Sequence, residues 1–214
     1  MKNDTIVFDL DDTLVPEIEF LKSAFWDISN FLNPGSIFLY EQMMQWFYNK
    51  ENVFANLIQT YSTVTINELI KRYRNHYPAF NSSCKNKEFL LSLQIKDYYL
   101  GLISDGYSVT QRNKIKALGI EGLFDLIIIS EEFGSEKPNE KNYSVFHKFQ
   151  SEHFYYIGDN LTKDFITPNK LGWITICLKD NGQNIHPQCF DMDPVYLPNI
   201  IINNLLELNQ ILGH

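Results

Sequence analysis

Six side chains of this sequence carry the elements of a reaction: Asp9, Asp11, Ser104, Lys137, Asp159 and Asp164. Asp9 and Asp11 fall in "DLDDTL", directly after the apolar run "TIVF" at 5–8. Ser104 opens "SDG" after "YYLGLI" (98–103), and Lys137 lies in "EKP" beyond "DLIII" (125–129). Asp159 and Asp164 lie in "GDNLTKD" at the end of "FYYIG" (154–158). Carboxylates crowded this closely stay ionised only near a cation; otherwise one takes up a proton. A hard divalent ion with oxygen ligands solves that problem, and Mg²⁺ typically takes one or two carboxylates, keeps waters and engages phosphate. Ser104 and the backbone N–H groups after it suit phosphate oxygens, and Lys137 suits their neutralisation. A carboxylate can also act as a nucleophile and form an aspartyl-phosphate. A second carboxylate two residues on can trade a proton with the leaving group.

Each of these residues has a plainer explanation when taken alone. Asp9 and Asp11 suit an ordinary turn after a strand, since Asp bonds readily to nearby backbone. Ser104 alone reads as a loop hydroxyl, Lys137 as a solvated surface Lys and Asp164 as a turn cap. What displaces those readings is convergence. In an open α/β sheet, ligands sit outside the carboxyl ends of the strands. Every one of the six follows an apolar run that reads as a strand.

The elements that must position them come in two textures. The runs 5–8, 98–103, 125–129, 154–158, "WITICL" (173–178) and "VYL" (195–197) read as buried strands of a parallel sheet covered on both faces. From residue 98 onward they alternate with helical patterns, which points to a doubly wound α/β domain. Ser108 with Gln111 reads as a capping box, with Gly119 as the stop of that helix. Thr167 reads as an N-cap before Pro168, with Gly172 after the end. Residues 16–94 break the rhythm. "EIEFLKSAFWDISNFL", "FLYEQMMQWFYNKENVFANLIQTY", "TINELIKRYRNHY" and "KNKEFLLSL" all read as helices, and Thr65 with Glu68 as another capping box. The division is therefore a core of 1–15 and 95–214, with an all-helical insertion at 16–94 between the first two strands.

With "DLDDTL", "ISDG", "EKP" and "IGDNLTKD" in this order and spacing, the chain resembles the haloacid dehalogenase (HAD) superfamily. The resemblance covers about residues 5–14 and 95–180 and implies a Rossmann-like core; the insertion is similar to the family's helical type I cap. It implies Asp9 as nucleophile and metal ligand, and Asp11 as general acid and base with its backbone carbonyl on the metal. Thr13 would steady that loop, and Ser104 with the N–H of Asp105 would hold the phosphoryl group. Lys137 would bridge phosphate and Asp9, and Asp159 would complete the Mg²⁺ site. Asp164 would orient Lys137 or a metal-bound water, with Gly158 and Asn160 supporting the same turn. Asp12 has no fixed role in the pattern and is assigned to loop hydrogen bonding.

The implied activity is a Mg²⁺-dependent phosphatase acting on a small phosphorylated metabolite, such as a nucleotide monophosphate or a sugar phosphate. A phosphomutase of the same scaffold is the alternative, as is a non-catalytic binding or signalling protein that retains the fold. A 2-haloacid dehalogenase is disfavoured, because a halide leaves without a proton and gives Asp11 no work.

Composition narrows the partners. The 214 residues are 44% hydrophobic and 14% aromatic, enough for a sizeable core. With 18 Lys and Arg against 26 Asp and Glu, the net charge of −8 and the lack of a basic run speak against nucleic acid. Cys84, Cys177 and Cys189 form no CxxC pair, so neither a disulfide framework nor a Cys-based zinc site is expected. No apolar run is long enough to span a bilayer and "MKNDTIVF" lacks signal-peptide character, which leaves a cytoplasmic protein, monomer or homodimer, as the expectation. The basic stretch 71–78 (Lys71, Arg72, Arg74, His76) is read as complementing a helix end, Arg112 as solvent-facing, and Trp26, Trp46 and Phe47 as cap core. His147, His153, His186 and His214 show no metal-ligand spacing and are read as surface or packing residues.

Overall fold

The computed structural model describes residues 4–80 and 84–212; His214 and the side chain of Cys84 lie outside them. Six strands form one sheet in the order β3-β2-β1-β4-β5-β6. They are β1 (Asp4–Phe8), β2 (Tyr99–Ser104), β3 (Leu126–Ile129), β4 (His153–Gly158), β5 (Ile174–Leu178) and β6 (Ile200–Ile202). Every neighbouring pair is parallel. The chain adds strands to one side of β1, then crosses to the other, so β1 and β4 flank the switch point where such sheets bind ligands. Register brings the strand ends level: Phe8 lies beside both Leu102 and Ile157, and Asp9 N–H donates to the Ile157 carbonyl at 2.8 Å.

Alternation along the strands fills both faces. Ile6 and Phe8 join Leu100, Leu102 and Ile157 in one core layer, while Val7 joins Ile103, Tyr156, Phe146 and Trp173 in the other. Close packing constrains β2, where a Cβ at Gly101 would collide with the Phe146 ring.

Among the described residues, five helices separate β1 from β2: α1 (Glu17–Leu32), α2 (Ile37–Tyr48), α3 (Val53–Thr60), α4 (Ile66–Asn75) and α5 (Cys84–Ile95). The first four share a core of their own around Phe25, Ile28, Met43, Leu57 and Leu69. The fifth, which the sequence division groups with them, buries Phe89, Leu90 and Leu93 in the sheet's core layer. The helix expected over 38–61 is two, because Lys50 turns left-handed (φ 59°) and the Asn52 side chain caps the second by accepting from Ala55 N–H. The Thr65–Glu68 capping box is present.

After β2 comes α6 (Ser108–Leu118), stopped by Gly119 in the left-handed region (φ 65°). Its N-cap is Tyr107, not Ser108: the Ser108 N–H and hydroxyl turn to Glu131 and Glu132 at 2.6 Å each. Short helices follow as α7 (Ser130–Phe133), α8 (Lys141–Ser144) and α9 (Ile166–Lys170). Thr167 lies inside α9, which Phe165 caps, because its hydroxyl is drawn to the Pro138 carbonyl. "VYL" is no strand either. Pro194 locks a 3-10 turn there, capped by the Asp193 side chain, and the edge strand is the "III" at 200–202. No helix among the described residues is long and apolar enough to cross a membrane.

Candidate active site

The carboxyl ends of β1, β2 and β4 and the loop after β3 bring the sequence-predicted side chains together. Asp9 follows β1, Ser104 ends β2, Lys137 lies beyond β3, and Asp159 follows β4. Lys137 Nζ sits 2.7 Å from Asp9 Oδ1 and 2.7 Å from Asp164 Oδ1, with the Tyr156 hydroxyl at 3.2 Å. Asp164 is wholly buried. Its Oδ1 also accepts from the Tyr156 hydroxyl, and its Oδ2 accepts from the N–H groups of Asp159 (3.1 Å) and Asn160 (2.9 Å). A Cβ at Gly158 would collide with this carboxylate, which accounts for glycine there. The Asn160 side chain instead accepts from Thr162.

Asp9, Asp159 and Asp164 present carboxylate oxygens within 4.8 Å of one another. Burial pushes Asp9 up to about 7, against the pull of Lys137 and with Asp164 adding to the rise. Burial likewise pushes Asp159 up to about 9, and Asp9, Asp164 and Asp12 add their repulsion. Burial also opposes the charge of Lys137, but Asp164 and Asp9 outweigh it and hold the ammonium well above its ordinary range. One ammonium faces three buried carboxylates, and the donors are all oxygen. Asp9 and Asp159 therefore fit a hard divalent cation, which would relieve the repulsion that raises both. Asp164 is the poorer ligand of the three, because Lys137, Tyr156 and two backbone N–H groups already occupy its oxygens.

Asp11 borders both the acidic pocket and the cavity beyond it. Its side chain contacts Lys114 and Gln111 of α6. Asp12 has φ 55°, and its carboxylate accepts from Glu17 N–H (2.8 Å) and Ile185 N–H (3.2 Å), the loop bonding expected of it. Thr13 is buried, with no hydrogen-bond partner for its hydroxyl. Asp105 accepts from Lys137 N–H at 3.1 Å and from Lys163 Nζ at 3.0 Å.

Several residues of this site carry no sequence signal. Asn184 donates to Asp159 Oδ2 at 2.9 Å, and Gln188 donates to the Asp159 carbonyl, both from an irregular loop after β5. His186, read from sequence as surface or packing, lines the acidic pocket with Asp9, Asp159 and Lys163. Glu17 borders the same pocket, and burial with the nearby charge of Asp11 pushes it up to about 7.

Beyond Asp11 opens a cavity of about 380 Å³ between α6 and the helical segment, walled by Phe20, Phe54, Ile70 and Tyr73. Arg74 also lines it and stacks over the Tyr107 ring at 3.6 Å, whereas Arg72 pairs with Asp27 at 2.7 Å. The basic stretch thus divides between a cavity wall and a structural pair. Trp26 is nearly half exposed rather than core, and Arg112 is tied to Glu132 rather than left to solvent.

The sequence profile of the haloacid dehalogenase-like hydrolases matches residues 6–177, which spans β1 to β5 and all four motifs. The chain belongs to that family. It is 28% identical to a glyceraldehyde 3-phosphate phosphatase of Methanocaldococcus jannaschii, over 96% of this chain and 95% of the relative. It is 29% identical to a pyrimidine 5'-nucleotidase of Escherichia coli, over 53% of this chain and 49% of the relative. Among solved structures, a HAD-hydrolase of Bacillus subtilis bound to magnesium superposes with a TM-score of 0.71 at 21% identity, covering the whole of both chains. An L-2-haloacid dehalogenase of Xanthobacter autotrophicus superposes at 0.64 and 13% identity, over 100% of this chain and 99% of that one. At those identities the likeness is one of HAD fold.

Proposed function

We propose that this HAD hydrolase is a Mg²⁺-dependent phosphatase of small phosphorylated metabolites, with nucleotide monophosphates and sugar phosphates as the substrate class. The observation that carries the reading is Lys137 held between Asp9 and Asp164 beside Asp159, at the switch point of the sheet. The names of the relatives, a triose-phosphate phosphatase and a nucleotidase, support a small phosphorylated substrate. Asp11 supports ester hydrolysis over dehalogenation, since a halide needs no proton.

In this reading Asp9 attacks phosphorus, the ester P–O bond breaks, and Asp11 gives a proton to the departing alkoxide. Water then attacks the aspartyl-phosphate, Asp11 takes its proton, and the bond between phosphorus and the Asp9 oxygen breaks to free phosphate. Lys137 fixes Asp9 Oδ1 and offers positive charge to the phosphoryl oxygens. Ser104 Oγ accepts from Gln111, so its own O–H remains to donate to a phosphoryl oxygen. Mg²⁺, held by Asp9, Asp159 and the Asp11 backbone carbonyl, would supply charge neutralisation for the phosphoryl group. The four-helix segment acts as the cap, hinged near residues 15–17, and its cavity receives the alcohol part of the substrate. Closure excludes water and strengthens the charge interactions inside.

The test is phosphate release from a broad panel of phosphorylated metabolites, with Mg²⁺ or with EDTA, using Asp9→Asn as control. Release that needs both the metal and Asp9 is the expected result. Release that survives either loss would overturn the mechanism.

A further inference from the structure

Two residues of α6 grip the carboxylate of Asp11 from one side. Lys114 Nζ lies 2.6 Å from Oδ1, and Gln111 Nε2 lies 2.8 Å from Oδ2. They stand three apart on the helix, which puts them on one face. Gln111 Nε2 also lies 2.6 Å from Ser104 Oγ and 2.9 Å from the Asp105 carbonyl. An amide has two hydrogens, so three acceptors share them, and the group expected to hold phosphate is tied to the group expected to move the proton. Both side chains are buried, at 2% exposure each. A buried ammonium and amide are costly unless partnered, and the Asp11 carboxyl partners both.

The clamp also reaches the cap. Lys114 Nζ sits 4.7 Å from the centroid of the Phe20 ring on α1. The same helix α6 donates from Thr110 to the Arg74 carbonyl at 2.9 Å, and from Asn113 to the Asn75 and His76 carbonyls at 3.1 Å each. One rigid element thus touches the acid, the phosphate hydroxyl and the end of cap helix α4.

We propose that Gln111 and Lys114 are positioning residues that hold the Asp11 carboxylate in line with Ser104 for proton transfer to the departing ester oxygen and from the attacking water. This rests on the phosphatase reading above. A misplaced Asp11 slows the attack of water on the aspartyl-phosphate for every ester alike, but slows departure of the alcohol only where that alcohol needs a proton. Esters of poorly acidic alcohols need that proton to depart, whereas p-nitrophenolate leaves without it.

The test compares p-nitrophenyl phosphate with an alkyl phosphate for the full-length enzyme in Mg²⁺, as wild type, Gln111→Met and Lys114→Met. On the alkyl ester, alcohol release in the first turnover slows by about 10²-fold, the scale of an ångström-sized misplacement, with KM near its wild-type value. On p-nitrophenyl phosphate the loss in first-turnover release of p-nitrophenolate is much smaller. Combined with Asp11→Asn, neither substitution costs anything further on the alkyl ester. Equal losses on both esters, a raised KM with unchanged kcat, or losses that add to that of Asp11→Asn would each overturn the positioning role. Should Lys114→Met fail to fold by circular dichroism, the uncharged Gln111→Met decides by the same criteria. A wild type without Asp9-dependent turnover of either ester would overturn the phosphatase reading and this role with it. Asp9-dependent wild-type turnover with equal losses in the variants would overturn this role alone.

Discussion

The pocket around Asp9 and the cavity beyond Asp11 share Asp11, Glu17 and Asp105 in their walls, yet they are built in opposite ways. On the sheet side, buried charges face one another at short range, and each side chain leaves a strand end whose position the ladder fixes. On the cap side, the walls are ring faces and one aliphatic chain from three separate helices, with Arg74 among them. Few alternatives satisfy the first arrangement, because a missing charge leaves its partner buried and alone. Many sequences could fill the second. On the proposed phosphatase reading, chemistry belongs to the rigid side and selectivity to the side where packing tolerates change.

Substitutions in the charged pocket break this contrast most severely. Asp9→Asn should reduce phosphate release to background while circular dichroism and thermal melting show an intact fold. Lys137→Met should do worse, removing activity and costing roughly 3–5 kcal/mol in urea unfolding, because Asp9 and Asp164 lose their shared counter-ion. A Lys137→Met protein as stable as wild type would show that the carboxylates are not mutually dependent. Asp11→Asn comes next, slowing first-turnover alcohol release from alkyl phosphates by about 10²–10⁴-fold, the range of general acid catalysis, and slowing p-nitrophenolate release far less.

The same crowding predicts how stability responds to pH in EDTA. Asp159 is raised from 3.8 to about 9 and Asp9 from 3.8 to about 7, chiefly by burial. The folded state then binds more protons than the unfolded one, so stability falls as pH rises from about 4 towards about 9. Mg²⁺ should raise the melting temperature more at pH 8 than at pH 5, since ionised carboxylates bind it and protonated ones do not. A melting temperature that rises with pH in EDTA would contradict the charge-crowded pocket.

The contrast also explains what could be read from the chain. Asp9, Ser104, Lys137, Asp159 and Asp164 each sit at or just beyond a strand end, and apolar runs locate strand ends well. The sheet was legible for that reason, except where Pro194 and Pro198 flank "VYL" and the edge strand forms two residues past the second proline. Gln111 was legible as a residue but not as a role. Its type suited a capping box, and only the folded helix shows its side chain turned towards Asp11 and Ser104. Asn184 and Gln188 reach Asp159 from a loop with no periodicity, so nothing in the sequence marks them. Phe20 and Tyr73 line a cavity, while Phe25, on the same helix as Phe20, and Met43 on α2 fill the cap core. All four are apolar residues at helical spacing, and spacing does not say which face meets the sheet.

The smallest effects belong on the cap side, where they sharpen the contrast instead of breaking it. Phe54→Ala enlarges the cavity at a wall residue whose ring packs against Phe25 and Tyr73. It should change the ranking of phosphorylated substrates by about 10-fold in kcat/KM, the scale on which an apolar pocket discriminates. Its Mg²⁺ requirement and its ratio of rates on p-nitrophenyl and alkyl phosphates should stay at wild-type values, because neither depends on the wall. Arg74→Ala tests the polar edge of the same cavity, and its losses should be greatest for substrates whose alcohol part carries an acceptor. If Phe54→Ala instead altered the leaving-group dependence, the cap wall would be acting on Asp11 through Phe20 and Lys114, and the division between a chemical side and a selective side would fail.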